Sequence, residues 1–226
     1  MEKGNEELLR SLLAEREELL REVQHRVKNN LQIILSIVSL QESSFGSEAD
    51  RELGRDTQAR IRSMAYLYDL LSGSRNFLSI DCGEYLQAIA GSLSASCRGA
   101  FSIRVEAQSD ILSVDEAMPF GIIATELLTN AVEHAFTDFG GLDNDHVGVV
   151  TLNLYQENGQ AIAEIRDNGR GLGEDFSLDV PTSLGLSIVR DLIRAQLYGE
   201  IVMNSVPLVD GGGTFVRVSV PLNARL

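Results

Sequence analysis

A polar cluster inside an apolar helical pattern is the first feature of this sequence that could carry chemistry. His25, Arg26, Lys28, Asn29 and Asn30 stand together, with leucine- and isoleucine-rich sequence on both sides. Two adjacent asparagines are poor helix formers, so the cluster carries a local cost. An imidazole on the exposed face of a helix can act as a nucleophile near neutral pH. The alternative is an ordinary surface histidine on a coiled coil.

A second set of functional side chains falls on one predicted helix, over residues 115–136. Glu126, Asn130, Glu133 and His134 share a helical face at i, i+4, i+7 and i+8. Carboxylate and amide oxygens are hard ligands that suit Mg²⁺. A solvated helix face has the same pattern, so this set by itself leaves both interpretations open.

A glycine-rich motif follows a predicted strand over residues 160–166. Asp167 stands at the strand end, and Gly169 and Gly171 come directly after it. A carboxylate fixed there can accept a hydrogen bond from an exocyclic amine, and the glycines let a ligand approach the backbone. Asp-Asn-Gly is also strong turn chemistry, so a plain turn is the alternative.

Two further glycine motifs lie near the end of the chain. Gly185 and Leu186 stand in the first turn of a predicted helix over residues 184–198, where free amide N–H groups suit a phosphate. A capped helix with a tolerated glycine explains them too. Three glycines precede Thr214 at the last predicted strand, 213–220, and we interpret them as a loop first and a ligand contact second.

Two kinds of segment must position these residues. Apolar residues at three- and four-residue steps predict a long helix over 5–45 and a second over 48–72, joined as a hairpin. The apolar stripe is too wide for two helices to cover, so a partner hairpin is expected. We therefore assign residues 1–75 to a helical-hairpin domain.

The remainder of the chain, residues 76–226, has a different sequence pattern from the hairpin. Helical and strand-like stretches alternate there, which predicts a layered α/β domain with a mainly antiparallel sheet. The predicted helices are 83–96, 115–136 and 184–198, and the predicted strands are 101–106, 147–156, 160–166, 200–206 and 213–220.

Composition excludes several classes of protein. A net charge of −14 argues against a nucleic-acid binder. No lysine follows Lys28, so neither a P-loop nor a eukaryotic-type protein kinase can be built in its usual form. The apolar runs are too short to span a bilayer, and the acidic, amphipathic N-terminus is unlike a signal peptide. Cys82 and Cys97 show no metal or disulfide spacing, so we expect reduced thiols and a cytoplasmic protein.

The order of the motifs resembles a known family. Glu126 and Asn130 on a helix, Asp167-x-Gly-x-Gly after a strand, Gly-Leu at a helix start and Gly-Thr before a strand are similar to the N, G1, G2 and terminal Gly-Thr elements of the ATP-binding domain shared by gyrase, Hsp90, histidine kinases and MutL. The preceding His25-Arg-x-Lys-Asn run resembles the phosphoacceptor region of two-component sensor histidine kinases. More narrowly, it is similar to the HisKA_2 subfamily, close to the HWE group, and Glu84-Tyr85-Leu86 also fits.

This resemblance implies an α+β protein. An N-terminal helical hairpin, for dimerisation and histidine phosphotransfer, would precede an α/β sandwich ATP-binding catalytic domain. ATP and Mg²⁺ are the implied cofactors. His25 would be the phosphoacceptor, Glu126 would orient or activate the attacking group, and Asn130 would bind Mg²⁺.

The resemblance also assigns roles around the nucleotide. Asp167 would hold the adenine amine, with Thr214 supporting that end of the base. Gly169 and Gly171 would leave room for the base and for a short lid over residues 172–183. The residues implied at the phosphates are Gly185 and Leu186, through their helix amides, and His134.

Two departures from the family pattern affect the mechanism. Many histidine kinases carry an acidic residue directly after the phosphorylated histidine, where this chain has Arg26, so the general base is open and Glu126 is one candidate. Relatives often have a basic residue at the position of Glu133. Neutralisation of the phosphates would then depend on Mg²⁺ and on amides, with Arg170, Arg190 or Arg194 as candidates for a further contribution.

The implied function is that of a sensor histidine kinase core. It would autophosphorylate His25 from ATP and pass the phosphoryl group to an aspartate of a response-regulator receiver domain. A homodimer through the hairpin is implied, although a monomer stays open because some members of this group are monomers. Neither nucleic-acid binding nor membrane insertion is implied. The alternatives are a non-enzymatic histidine phosphotransfer protein and a serine kinase or ATPase of the same ATP-binding superfamily.

Overall fold

Five α-helices and five strands form the part of the chain that the computed structural model describes. That part comprises residues 2–42, 46–73, 80–96, 101–108, 112–136, 148–173, 176–179, 183–207, 209 and 211–222. The helices are α1 (Glu2–Glu42), α2 (Glu48–Gly73), α3 (Cys82–Ser96), α4 (Val114–His134) and α5 (Leu184–Asp191). The strands are β1 (Phe101–Ala107), β2 (Gly148–Glu157), β3 (Gln160–Asp167), β4 (Glu200–Ser205) and β5 (Thr214–Pro221).

The first two helices pack against each other as the predicted hairpin. Lys28 on α1 forms an ion pair with Asp69 on α2. Much of the apolar face of α1 stays uncovered, since Ile33 is 59% exposed and Leu40 is 77% exposed. Two helices therefore do not bury this stripe, and the expected partner hairpin stays a prediction.

The sheet is mixed and mainly antiparallel, as the sequence predicts. Its strand order is β1-β2-β3-β5-β4, and only the β1–β2 pair is parallel among these strands. Leu152 on β2 pairs with Ile165 on β3, and Ile165 pairs with Val216 on β5. Buried apolar residues alternate along these strands, and they place one face of the sheet against the helices.

Helix α4 is the central helix of the core. Ser113 caps its N-terminus in a capping box with Glu116, which fixes where the helix begins. Ile123 and Leu128 are fully buried against the sheet and the neighbouring helices. Because α4 is held along its length, the polar residues of its second half occupy defined positions.

The hairpin is joined to the rest of the core through the second half of α2. Leu67 and Leu71 are buried in the same hydrophobic cluster as α3, α4 and the sheet. The Tyr85 hydroxyl on α3 donates a hydrogen bond to the Ser63 carbonyl on α2, at 3.1 Å. A Cβ atom on Gly121 of α4 would lie 1.9 Å from that hydroxyl, so only glycine fits there. Helix α2 thus shares one hydrophobic core with the elements that follow residue 75, although the sequence pattern changes there.

A cavity of about 430 Å³ lies between α2, α3 and α4. Asp56 from α2 and Glu133 from α4 both line it. Burial raises the pKa of Glu133, and the nearby charges of Asp56 and Glu52 raise it further, against the opposing effect of Arg55. The folded state therefore binds a proton at Glu133 more tightly than the unfolded state does.

Replacing Glu133 by glutamine is expected to stabilise the protein at neutral pH. The raised pKa means that the wild type loses stability as the pH rises above the ordinary glutamate value of 4.5. We expect Glu133→Gln to raise the melting temperature by about 2 °C at about pH 8 and by less at about pH 5. Thermal denaturation of wild type, Glu133→Gln and the exposed-site control Glu106→Gln measures this, and an equal gain at both pH values would contradict it.

The last predicted helix changes its type before it ends. The sequence predicts a helix over 184–198, and the structure has α5 to Asp191 followed by a π-helical turn, Leu192–Gln196. The Leu197 amide donates to the Leu192 carbonyl at 2.9 Å, and Tyr198 has a positive φ of 51°. This wider turn keeps Leu197 buried while the chain turns into β4.

Of the two cysteines, Cys82 is buried, and its Sγ donates a hydrogen bond to the Ile80 carbonyl at 3.7 Å. Cys97 lies outside the described residues. In the part of the chain that is described, no helix combines the length and the apolar character needed to cross a bilayer.

Candidate functional site

A cavity of about 240 Å³ opens between α4, the sheet and the start of α5. Its lining is mostly apolar, with a few polar groups. Seven of the residues singled out in the sequence border it: Asn130, His134, Asp167, Arg170, Gly171, Leu186 and Thr214. The apolar lining includes Leu127, Ala131, Ile165, Met203 and Val216. An apolar slot between a strand-end carboxylate and a helix N-terminus suits a flat base that carries a phosphate chain.

Asp167 lies at the end of β3 and is 4% exposed. Its Oδ1 accepts hydrogen bonds from the Gly169 amide at 2.9 Å and the Thr214 amide at 3.1 Å. Both of these bonds go to the same oxygen, which leaves Oδ2 as an acceptor for a ligand amine. Thr214 therefore contributes to this end of the cavity through its backbone as well as by bordering it.

Gly169 and Gly171, which follow Asp167, favour glycine for different structural reasons. A Cβ on Gly169 would lie 2.4 Å from the Ala135 carbonyl oxygen, so Gly169 permits close packing of the loop on the end of α4. Gly169 does not border the cavity in the described structure. Gly171 does border it, and its positive φ of 78° favours glycine. The sequence predicted room for a ligand at both glycines.

Gly213 packs directly on Asp167 and was treated in the sequence only as part of a loop. Its φ is +92°, and a Cβ there would lie 1.9 Å from the Asp167 carbonyl oxygen. The strand that begins at Thr214 can approach Asp167 only because residue 213 has no side chain. The run of three glycines before a strand was the available signal for this contact.

Replacing Gly213 by alanine is expected to cost about 3 kcal/mol or more of folding stability, from backbone strain together with the clash. Gly159→Ala is the matched control, because Gly159 also has a positive φ, 76°, but has no atom within 4 Å of its Cβ position. The control should cost only about 1 kcal/mol. Urea denaturation measures both, and equal losses would show that the contact with Asp167 is unimportant.

The first turn of α5 forms the opposite end of the cavity. Ser183 caps the helix, and its hydroxyl accepts a hydrogen bond from the Leu186 amide at 3.3 Å. The Leu186 amide thus already has a partner, and an anion would share or replace it. Gly185 is buried beside the cavity rather than in its lining.

Asn130 suits a metal site only if a bound ligand supplies further oxygen atoms. Its Nδ2 is buried without a hydrogen-bond partner, one helical turn after Glu126. Across the described ranges, no group of three or more histidine, cysteine or acidic side chains could hold a metal ion. Mg²⁺ is commonly held by one or two protein oxygens together with substrate phosphates, and the residues present fit that arrangement.

Glu126 is turned away from this cavity towards the hairpin. It is 5% exposed and does not border the cavity. Its carboxylate accepts two hydrogen bonds from Arg60 on α2, from Nε at 2.5 Å and from Nη2 at 3.0 Å. Burial lowers the pKa of Arg60, but the bonds and charge of Glu126 and the charge of Asp56 raise it more, so the net pKa is above its ordinary value. Nothing in the sequence links residues 60 and 126.

His25 is exposed on α1 and borders neither of the two cavities described above. Arg26 forms an ion pair with Glu22 one turn earlier, at 2.5 Å. The structure thus brings the predicted nucleotide residues together and leaves the predicted phosphoacceptor on a separate surface.

The three arginines proposed for the phosphates have different surroundings. Arg190 donates to the Asp179 carbonyl at 3.2 Å, and Arg194 forms an ion pair with the Asp179 carboxylate at 3.2 Å. These two hold the segment before α5. Arg170 borders the cavity. Of the predicted lid, residues 174–175 and 180–182 lie outside the described part of the chain.

Two family models match the chain in tandem. The HisKA_2 model, described as histidine kinase, matches residues 22–97. The model of the histidine kinase-, DNA gyrase B- and HSP90-like ATPase matches residues 116–224. The first covers the hairpin from residue 22 together with α3, and the second covers most of the cavity-bearing part of the chain, in the predicted order.

Individual relatives extend over almost the whole chain. The sensor histidine kinase PdtaS of Mycolicibacterium smegmatis is 33% identical over 218 residues, which cover 96% of this chain and 42% of that protein. The blue-light-activated histidine kinase 2 of Erythrobacter litoralis is 32% identical over 214 residues, 91% of this chain and 58% of the relative. This chain thus spans about half the length of these relatives.

A solved structure matches the fold as well. The histidine kinase domain of a blue-light-activated histidine kinase of Erythrobacter litoralis superposes with a TM-score of 0.65 and 32% identity. The match covers 92% of this chain and 93% of that domain.

Proposed function

The chain belongs to the histidine kinase family, and we propose that it is a catalytic core that phosphorylates its own His25 from ATP. The phosphoryl group would then pass to an aspartate of a response-regulator receiver domain. The observation that carries this proposal is the single cavity that Asp167, Asn130 and the start of α5 share. It has an acceptor for an amine at one end and a helix N-terminus at the other.

The residues of the cavity divide the work of holding the nucleotide. Asp167 Oδ2 would accept the adenine amine, with Thr214 beside it, and the apolar side chains would cover the base. Gly185, Leu186 and His134 would lie at the phosphates, and Asn130 would bind Mg²⁺. ATP supplies the γ-phosphoryl group, and Mg²⁺ screens its charge.

The phosphoacceptor must come to the cavity from elsewhere on the molecule. Because His25 is exposed on α1 and does not border the cavity, we expect the hairpin to move relative to the ATP-binding domain before transfer. In that arrangement the His25 imidazole would attack in line, with Glu126 as the candidate for orienting it or accepting its proton.

The exposed face of α1 supports a homodimer as part of this proposal. Leu19, Val23, Ile33 and Leu40 are each more than half exposed, and burying such side chains is favourable. A second hairpin would cover them and form a four-helix bundle. The surface around His25 would then dock the receiver domain. A cytoplasmic location, where ATP and reduced thiols are found, belongs to the same proposal.

Labelling with γ-phosphate-labelled ATP tests the proposed function. We expect the chain to take up label that is stable in alkali and labile in acid, and to lose this activity when Mg²⁺ is chelated. Label that survives acid would indicate the serine kinase alternative. Tight nucleotide binding without label would indicate an ATPase, and failure to bind nucleotide would indicate a phosphotransfer protein.

A further inference from the structure

An ion pair joins the hairpin to the ATP-binding domain at a position that no sequence motif indicates. The Arg60 guanidinium on α2 contacts both oxygens of Glu126 on α4. The side chains are 12% and 7% exposed, so both charges are largely removed from water. A two-pronged pair of this kind is strong, and loss of either partner leaves a buried charge.

This pair lies against the first turn of α5. A Cβ on Gly185 would lie 2.2 Å from Glu126 Oε2 and 3.8 Å from Arg60 Nη2. The guanidinium therefore reaches the helix end that is suited to an anion, beside the cavity that Leu186 and Asn130 border. In the described structure the Glu126 carboxylate is the anion at this position.

The ATP-binding domain has few cations of its own for a triphosphate. No lysine follows Lys28 in the chain. Arg190 and Arg194 bind Asp179 in the described structure, and Arg170 is the arginine that borders the cavity. An arginine delivered by α2 to the start of α5 would meet the need for positive charge at the end of the phosphate chain.

We propose that Arg60 is an anion-binding residue of the phosphoryl-transfer site, and that its guanidinium exchanges the Glu126 carboxylate for the γ-phosphate of a nucleoside triphosphate. The exchange keeps the guanidinium paired throughout and releases the Glu126 carboxylate. This inference rests on the proposed function, because it needs a nucleotide in the cavity beside α5.

The exchange predicts an effect that depends on the third phosphate. A diphosphate has no γ group to compete with Glu126, so its affinity should be insensitive to Arg60. A triphosphate must displace the carboxylate, so its affinity should fall when Arg60 is lost and rise when the competing carboxylate is neutralised. A purely structural role for Arg60 would affect both nucleotides alike.

Calorimetric titration with Mg²⁺ and either ADP or the β,γ-imido analogue of ATP tests this inference. We expect Arg60→Met to weaken binding of the triphosphate analogue about tenfold and to change ADP affinity less than about twofold. Arg62→Met is the matched control on the same helix, since Arg62 donates to Gln58 at 2.9 Å and should change neither affinity. Glu126→Gln should strengthen binding of the triphosphate analogue about threefold.

The outcomes separate this inference from the proposed function. Equal weakening of both nucleotides by Arg60→Met, or no change in either, would overturn the role of Arg60. If Arg60→Met does not fold, Glu126→Gln decides, because an unchanged or weaker affinity for the analogue excludes the competition. Because the analogue cannot transfer its phosphate, these results do not depend on His25, whereas wild-type protein that binds neither nucleotide would refute the proposed function itself.

Discussion

Replacing His25 by glutamine is expected to abolish acid-labile phosphorylation, lowering the initial rate about a thousandfold or more, because the variant has lost the attacking nitrogen. His25 is exposed on α1, so the substitution removes no packing and should leave the melting temperature unchanged. Initial rates with γ-phosphate-labelled ATP, together with location of the label by mass spectrometry, measure the effect.

The other histidines of the chain provide the control for that experiment. His134 borders the nucleotide cavity and is unsuitable. His146 lies outside the described residues, and His146→Gln should label at the wild-type rate. Undiminished labelling of His25→Gln, or label found on another residue, would refute the assignment of His25 as the phosphoacceptor.

Replacing Asp167 by asparagine is expected to weaken binding of adenine nucleotides about a hundredfold with little change in stability. The asparagine oxygen can still accept from the Gly169 and Thr214 amides, as Asp167 Oδ1 does. Its NH₂ group then takes the position of Oδ2 and presents a donor where the adenine amine needs an acceptor. Calorimetric titration with Mg²⁺ and ADP gives the affinity, and thermal denaturation gives the stability.

Glu164→Gln is the matched control for this second prediction. Glu164 lies three residues earlier on β3, where it pairs with Arg217 and does not border the cavity. We expect it to bind nucleotide as the wild type does. Wild-type affinity in Asp167→Asn would show that the base is recognised by other groups.

Much of the fold follows from local patterns in the sequence. The helical hairpin, the predicted strands and the mainly antiparallel sheet all appear in the structure with small differences at their ends. Apolar periodicity and turn residues act over a few neighbouring positions, so a sequence records them directly. The end of α5 is different, because its π-helical turn serves the burial of Leu197 in the assembled core.

Part of the site also follows from local sequence motifs. Asp167, Asn130, Leu186 and Thr214 were indicated by motifs, and they border one cavity in the structure. The apolar lining gave no separate signal, because a residue such as Val216 or Met203 has the same pattern in any buried strand. The requirement for glycine at position 213 could not be predicted from the sequence either, since it arises from a contact with Asp167 and not from the loop itself.

By itself, the sequence determined which groups of this protein could do chemistry: a histidine on a helical hairpin, a helix with Glu126 and Asn130, and glycine motifs that suit a nucleotide. The tertiary structure alone decided that Glu126 meets Arg60 and not the cavity, and that His25 lies on a separate surface. The physical reason is the range of the interactions. A motif consists of residues that are close together in the sequence, whereas a contact between residues 60 and 126 exists only after α2 has packed against α4.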